Sequence, residues 1–170
     1  MFAAAERIGE MCRQAGALYV IDDRADVALL LNAGVHLGQD DLCPSDARKV
    51  LGPDRIIGFS THNREQMRAA AGEPVDYLAI GPMFATGSKA NPDPVLGIEA
   101  LRLARALTAR PLVAIGGITP ESFESVWSAG ADSIALIGAL LPDPCNKTSI
   151  RARTELLLAA ARTWCHNRPK

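Results

Sequence analysis

Two pairs of aspartates, each at the end of an apolar run, are the first candidates for chemistry in this sequence. Asp22 and Asp23 end one run, and Asp40 and Asp41 follow the next. If the runs are neighbouring parallel strands, about 4.8 Å apart, these carboxylates can share one hard cation. Magnesium prefers one or two carboxylates together with phosphate oxygens and water. The alternative is structural, with Asp22 capping a helix and the second pair forming a turn.

Glycines after the last two apolar runs are candidates for binding an anion. Gly116 and Gly117 precede a helix start at Thr119 and Pro120, and Gly138 ends the final run. Bare backbone amides beside a helix N-terminus often hold phosphate in barrel enzymes. A tight turn would also require glycine. The position of the double glycine after the penultimate strand favours the phosphate site.

A loop over residues 85–95 interrupts the regular spacing of the sequence. It is rich in glycine, proline and small polar residues, and it carries Thr86, Ser88 and Lys89. Two hydroxyls and a cation on such a loop could close over phosphate oxygens and neutralise the charge of a leaving group. The alternative is an ordinary solvated lysine on a surface loop.

The histidines offer little support for nucleophilic catalysis. Ser60 and His62 lie side by side at the end of a run, too close in sequence to be taken as a catalytic pair, and an acid partner is not evident. His36 lies within a run. We expect it to be a packed or hydrogen-bonded residue and not a base.

The elements that must position these residues alternate between strand and helix. Helical spacing predicts helices between the runs, with helix caps at Ser45 and Thr119 and a helix stop at Gly34. This alternation predicts an α/β fold with a parallel sheet, whose chemistry collects at the carboxyl ends of the strands. We expect a single domain over residues 1–170. The strand-like runs are 17–22, 35–37, 56–59, 76–80, 111–115 and 133–137.

Composition narrows the class of protein. The chain has 170 residues, of which 48% are hydrophobic and 22% charged, with a net charge of −1. This predicts one cytoplasmic domain with a hydrophobic core, and it gives no electrostatic case for nucleic acid or a membrane surface. Four widely spaced cysteines are expected to be reduced thiols, not a zinc site.

The motifs resemble those of the thiamine phosphate synthase family, in the thiamine-synthase/TenI barrel superfamily. Any one of them is common among phosphate-binding barrels, but the ordered set is specific. The resemblance covers most of the chain, roughly Ala17 to Leu140. The matching segments are Ile21-Asp-Asp-Arg24, Gly34-Val-His-Leu-Gly-Gln-Asp-Asp41, Gly58-Phe-Ser-Thr-His62, Asp76-Tyr-Leu-Ala-Ile-Gly-Pro-Met-Phe84, Ala85-Thr-Gly-Ser-Lys89, Ala114-Ile-Gly-Gly-Ile118 and Ala129-Gly-Ala-Asp132.

The resemblance implies an activity and a set of site residues. Family enzymes couple hydroxymethylpyrimidine diphosphate to thiazole phosphate and release pyrophosphate. Asp23 and Asp41 would hold Mg²⁺, and Ser60 and Lys89 would be the catalytic residues. The substrate-binding residues would be Asp22, Ser60, Thr86, Ser88, Lys89, Gly117, Ile137 and Gly138.

Three departures from the family pattern bear on this interpretation. Asp22 replaces an asparagine, and Gly138 replaces a serine that contacts phosphate. The first two strands of the barrel, including a Gln-x-Arg-x-Lys pattern, have no counterpart before Ala17. The expected fold is therefore a parallel (β/α) TIM-barrel type that is N-terminally incomplete, with about six of eight units.

An incomplete barrel leaves two open sheet edges. We expect a homo-oligomer or a partner chain to cover them. Two alternatives to the synthase remain: a TenI-like thiazole tautomerase, and a non-catalytic phosphate-binding remnant. The paired acids and the Thr/Lys loop favour the synthase over the tautomerase, whereas the absent arginine and lysine favour the remnant.

Overall fold

The computed structural model of the chain describes residues 2–87 and 93–167. The chain forms two compact units, residues 1–79 and 80–170. The strands are β1 (Val20–Asp22), β2 (Gly34–Leu37), β3 (Ile57–Thr61), β4 (Tyr77–Ile80), β5 (Leu112–Ile115) and β6 (Ser133–Ala135). The helices are α1 (Phe2–Ala15), α2 (Ala25–Leu31), α3 (Pro44–Leu51), α4 (Arg64–Ala70), α5 (Gly97–Leu107), α6 (Phe123–Ser128) and α7 (Lys147–Asn167). Short 3-10 helices cover Pro120–Ser122 and Gly138–Leu140.

The strands follow one another in the sheet in the order of the sequence, β1 to β6, and they are parallel. In the first unit, Asp22 is paired with His36, and His36 with Gly58. In the second unit, Ile115 is paired with Ala135. Because parallel neighbours end at the same edge, the polar residues after the strands of each unit collect there. The α/β prediction is confirmed.

The core of the first unit is formed by the apolar side chains of its strands and by one face of each following helix. Val35, Leu37, Ile57 and Leu78 are fully buried, and so is Met67 of α4. Strands buried on both faces read as continuous apolar runs, as these do in the sequence.

The second unit buries the apolar faces of α5, β5 and α6, including Leu101, Leu112 and Val126. Its last helix is attached through aromatic side chains. Trp127 of α6 stacks on Trp164 of α7 with ring centroids 5.8 Å apart, and Phe123 meets Trp127 edge-on at 5.0 Å. Among the helices of the described residues, none has both the length and the hydropathy needed to cross a bilayer.

Two helix boundaries differ from those predicted. The first residue of α3 is Pro44 and its N-cap is Cys43, so the predicted cap at Ser45 is wrong. Proline is well suited to the first helical position, and the helix therefore starts two residues closer to the N-terminus than predicted. The stop at Gly34 is also wrong, because Asn32 ends α2 with a left-handed φ of 57°. Thr119 does cap the following helical turn, in a capping box with Ser122.

Candidate active site

The acidic residues after β1 and β2 lie at the carboxyl edge of the first unit. Asp22 is the last residue of β1, and both it and Asp23 are exposed. The backbone N–H of Asp23 donates to the His36 carbonyl at 2.8 Å, and Asp23 has a φ of 64°. The N-cap of α2 is Arg24, so Asp22 does not occupy the capping position that the structural alternative gave it.

Asp41 closes the turn that follows β2. Its Oδ2 accepts a hydrogen bond from the Gly38 N–H at 2.6 Å. The predicted turn therefore exists, and it uses one of the two carboxylate oxygens. Within the described ranges, groups of three or more His, Cys, Asp or Glu suited to a metal are absent. Two carboxylates, Asp23 and Asp41, at the ends of adjacent strands still match a magnesium ion that takes its other ligands from phosphate and water.

A chain of hydrogen bonds links three strands of the first unit. His36 of β2 contacts Ser60 of β3 through Nε2 and Oγ at 2.8 Å, and Tyr77 of β4 through Nδ1 and Oη at 2.8 Å. The His36 and Tyr77 rings also stack, with centroids 5.5 Å apart. The prediction that His36 is a hydrogen-bonded residue is confirmed. Its hydrogen bond to Ser60 is not among the contacts predicted from the sequence. The alternation of side chains along paired strands could have indicated it, because His36 lies beside Gly58, two residues before Ser60.

Two features hold this chain of hydrogen bonds in place. A Cβ at Gly58 would lie 2.0 Å from Cζ of Tyr77, so only glycine lets the phenol cross β3 to His36. The Gln39 amide donates to the Ser60 carbonyl at 2.6 Å and ties the end of β3 to the turn before Asp41. Burial raises the pKa of Tyr77 to about 12, and the negative charge of Asp22 adds to the shift.

In the second unit, the double glycine lies against the start of the 85–95 loop. Gly116 and Gly117 have φ values of 96° and 64°, which glycine adopts without strain. The Phe84 N–H donates to the Gly116 carbonyl at 3.0 Å. A Cβ on Gly117 would lie 2.4 Å from the Ala85 carbonyl oxygen. Glycine is thus required here by close backbone approach, which is the structural alternative raised from the sequence.

The remaining predicted site residues divide between described and undescribed parts of the chain. Thr86 is half-buried. Ile137 is 56% exposed, and Gly138, also exposed, begins the short 3-10 helix. Space around Gly138 is open, since a Cβ built there meets none of the described atoms within 4 Å. Ser88 and Lys89 lie outside the described residues.

Comparison with known proteins gives a consistent result. The sequence model of the family described as "Thiamine monophosphate synthase" matches residues 1–140. A "Thiamine-phosphate synthase" of Koribacter versatilis is 57% identical over 131 residues, which are 76% of this chain and 62% of the relative. One from a Synechococcus strain is 45% identical over 138 residues, 81% of this chain and 39% of the relative. The chain thus spans less than two thirds of the length of these relatives.

A solved structure supports the same grouping. The thiamine phosphate pyrophosphorylase of Pyrococcus furiosus superposes with a TM-score of 0.80 at 32% identity, covering 95% of this chain and 76% of that one. The predicted fold class, a parallel (β/α) TIM-barrel type with about six of eight units, is confirmed. The tautomerase alternative is not favoured. By sequence and by fold, the chain belongs to the thiamine monophosphate synthase family.

Proposed function

We propose that this chain carries the site of a thiamine-phosphate synthase, which couples hydroxymethylpyrimidine diphosphate to thiazole phosphate. The observation that supports this most directly is the 57% identity to a relative named thiamine-phosphate synthase. In the reaction, the bond between the pyrimidine methylene carbon and the diphosphate oxygen breaks, and its electron pair leaves with pyrophosphate. The thiazole nitrogen then supplies the electron pair for the new carbon–nitrogen bond.

This reaction needs neutralisation of the leaving group more than it needs an acid or a base. Asp23 and Asp41 would hold Mg²⁺, whose charge stabilises the departing diphosphate. The turn hydrogen bond from Gly38 fixes the Asp41 carboxylate before ligand binds, which lowers the cost of ordering it. Asp22 adds a negative charge close to the diphosphate, and the cation would offset part of it.

The two substrates would meet different residues. Ser60, tied to His36 and to Gln39, would lie beside the pyrimidine. Thr86, Ser88 and Lys89 would contact the diphosphate, with Lys89 as the cation that assists its departure. The thiazole phosphate would bind Gly117, Ile137 and Gly138. The exposure of Ile137 and Gly138 supports their access to a ligand.

A turnover assay with a matched charge control tests the proposal. Purified chain is supplied with both substrates and magnesium, and thiamine phosphate is measured. Asp41→Asn keeps an oxygen for the Gly38 N–H but removes the charge, so we expect kcat to fall about 100-fold or more. Asp54→Asn removes the same charge from an exposed loop before β3 and should leave kcat unchanged.

A folded but inactive chain would require a second assay. The chain is then joined to the two N-terminal strands of a family member, which supply the Gln-x-Arg-x-Lys pattern. Recovered turnover that Asp41→Asn abolishes would support the proposed site. Continued inactivity of the joined protein would contradict the synthase and favour the non-catalytic phosphate-binding remnant.

A further inference from the structure

The hydrogen-bond chain from Tyr77 through His36 to Ser60 has a direction that can be worked out. An imidazole that bonds through both nitrogens is a donor at one and an acceptor at the other when it is neutral. Tyr77 can therefore donate to Nδ1 while Nε2–H donates to Ser60. The reverse arrangement has Nδ1–H donating to the phenol oxygen and the Ser60 hydroxyl donating to Nε2.

The environment of Tyr77 favours the first arrangement. Its hydroxyl packs against the buried Gly58, where a Cβ would lie 2.3 Å from it, and within the described chain its hydrogen-bond partner is His36. If the phenol accepted from Nδ1–H, its own proton would have to be buried without an acceptor, which is unfavourable. When the phenol donates, the one proton left over is that of Ser60, near the carboxyl end of β3, where a ligand can accept it.

This direction of hydrogen bonding determines which role the Ser60 hydroxyl can play toward a ligand. With Nε2–H donating to Oγ, the serine's own proton is not used within the chain of bonds and is left for a ligand. We propose that Tyr77 and His36 are positioning residues that make the Ser60 hydroxyl a hydrogen-bond donor. The ligand group at Ser60 is then an acceptor, such as a ring nitrogen of a pyrimidine. The identity of this ligand rests on the proposed function, but the direction of the hydrogen bonds does not.

Nuclear magnetic resonance of the histidine rings tests the direction without any substrate. The chain contains three histidines, so ¹⁵N-labelled histidine gives few signals, and His36→Gln assigns those of His36. We expect the proton on Nε2 and a bare Nδ1 in the folded protein. Tyr77→Phe keeps the ring but removes the donor, so the proton should redistribute between the two nitrogens. Tyr19→Phe removes the chain's other phenol and should leave the His36 signals unchanged.

Two results would overturn the inference. A proton on Nδ1 of wild-type His36 would mean that Ser60 donates inward, and protons on both nitrogens would mean that the ring is an imidazolium. The wild-type spectrum alone distinguishes these cases, so the inference remains testable even if Tyr77→Phe folds poorly.

Ligand binding tests the second half of the inference. Hydroxymethylpyrimidine diphosphate is compared by calorimetry with analogues in which each ring nitrogen in turn is replaced by C–H. One replacement should weaken binding about 10-fold in wild type and leave binding to Ser60→Ala unchanged, as expected for coupled partners. Equal losses in both proteins would overturn the assignment of the ring nitrogen. Absence of binding both to wild type and to the chain joined to the two N-terminal strands would overturn the proposed function, while the NMR result would still decide the direction of the bonds.

Discussion

At the scale of single residues, Tyr77 shows how a buried position changes a side chain's chemistry. An unperturbed tyrosine has a pKa of about 10. Burial raises the pKa of Tyr77 to about 12, with a further contribution from the charge of Asp22. The hydroxyl therefore keeps its proton, and its ability to donate to His36, throughout the neutral range.

The raised pKa of Tyr77 predicts an alkaline loss of stability. The folded state favours the protonated phenol, so this contribution is fully present below pH 10, the unfolded pKa, and is lost as the pH rises to about 12. Tyr77→Phe should abolish this part of the pH dependence of the free energy of unfolding. In the absorbance titration of folded protein, the same variant should remove the phenol that ionises near pH 12. The chain has two tyrosines, and burial also raises the pKa of Tyr19, so Tyr19→Phe measures the other phenol's share of the alkaline loss. An alkaline limb that Tyr77→Phe leaves unaltered would contradict the prediction.

At the scale of elements, each unit contains the same ion-pair arrangement at the amino ends of its strands, opposite to the candidate site. Asp76, directly before β4, accepts from Arg48 of α3 and from the Ile57 N–H that starts β3, both at 2.7 Å. Asp132, directly before β6, accepts from Arg105 of α5 at 2.7 Å and from the Leu112 N–H that starts β5 at 2.9 Å. Each arrangement joins a helix to the amino ends of two neighbouring strands, which in barrels is the edge that serves stability.

Loss of one arginine from this ion-pair arrangement should destabilise the protein without changing the candidate active site. Arg105 also donates to the Arg110 carbonyl at 2.8 Å, so Arg105→Met leaves several acceptors without their donor. We expect a loss of about 1–3 kcal/mol in the free energy of unfolding in urea, with turnover per folded molecule unchanged. Arg102→Met, on the same helix, breaks only an exposed pair with Glu99 and should cost about 0.5 kcal/mol or less. Equal losses in the two variants would contradict this role for Arg105.

The order and type of elements could be predicted because local signals are strong here. Continuous apolar runs ended by glycine or aspartate mark the buried parallel strands, and Thr119 with Pro120 marks a helix start. The errors lie where two local signals compete. Asn32, not Gly34, adopts the left-handed conformation that ends α2. Gly34 instead starts β2, where a Cβ would lie 2.8 Å from the Ile56 carbonyl oxygen.

The candidate site was less accessible to sequence reasoning than the fold. Strand-end aspartates are visible from local pattern alone, so Asp23 and Asp41 could be proposed. The Tyr77–His36–Ser60 chain depends on strand register and on the absence of a side chain at Gly58, neither of which a single sequence specifies. This polar network therefore depends on how the strands pair in the folded chain, which local sequence patterns do not indicate.

At the scale of the whole molecule, the first unit leaves apolar surface uncovered beside β1, the strand at one end of the described sheet order. None of the described side chains of α1 is buried. Leu18 is 80% exposed and Leu30 71% exposed. Both line a cavity of about 660 Å³, together with Arg13 and Tyr19. Apolar patches of this kind, next to a strand edge, favour association with another chain.

We expect a second copy of the chain to cover this surface, so that molecular mass in sedimentation equilibrium rises with protein concentration. Leu18→Lys should weaken the association about 10-fold or more, since burying a leucine contributes roughly 1.5–3 kcal/mol. Leu103→Lys adds the same charge at another exposed leucine, 53% exposed on α5, and should not change the association. A monomer at every concentration would contradict self-association and leave a different partner chain to cover the edge. Equal weakening of the association by both substitutions would indicate an effect of net charge, because Leu18 lies beside β1 and Leu103 does not.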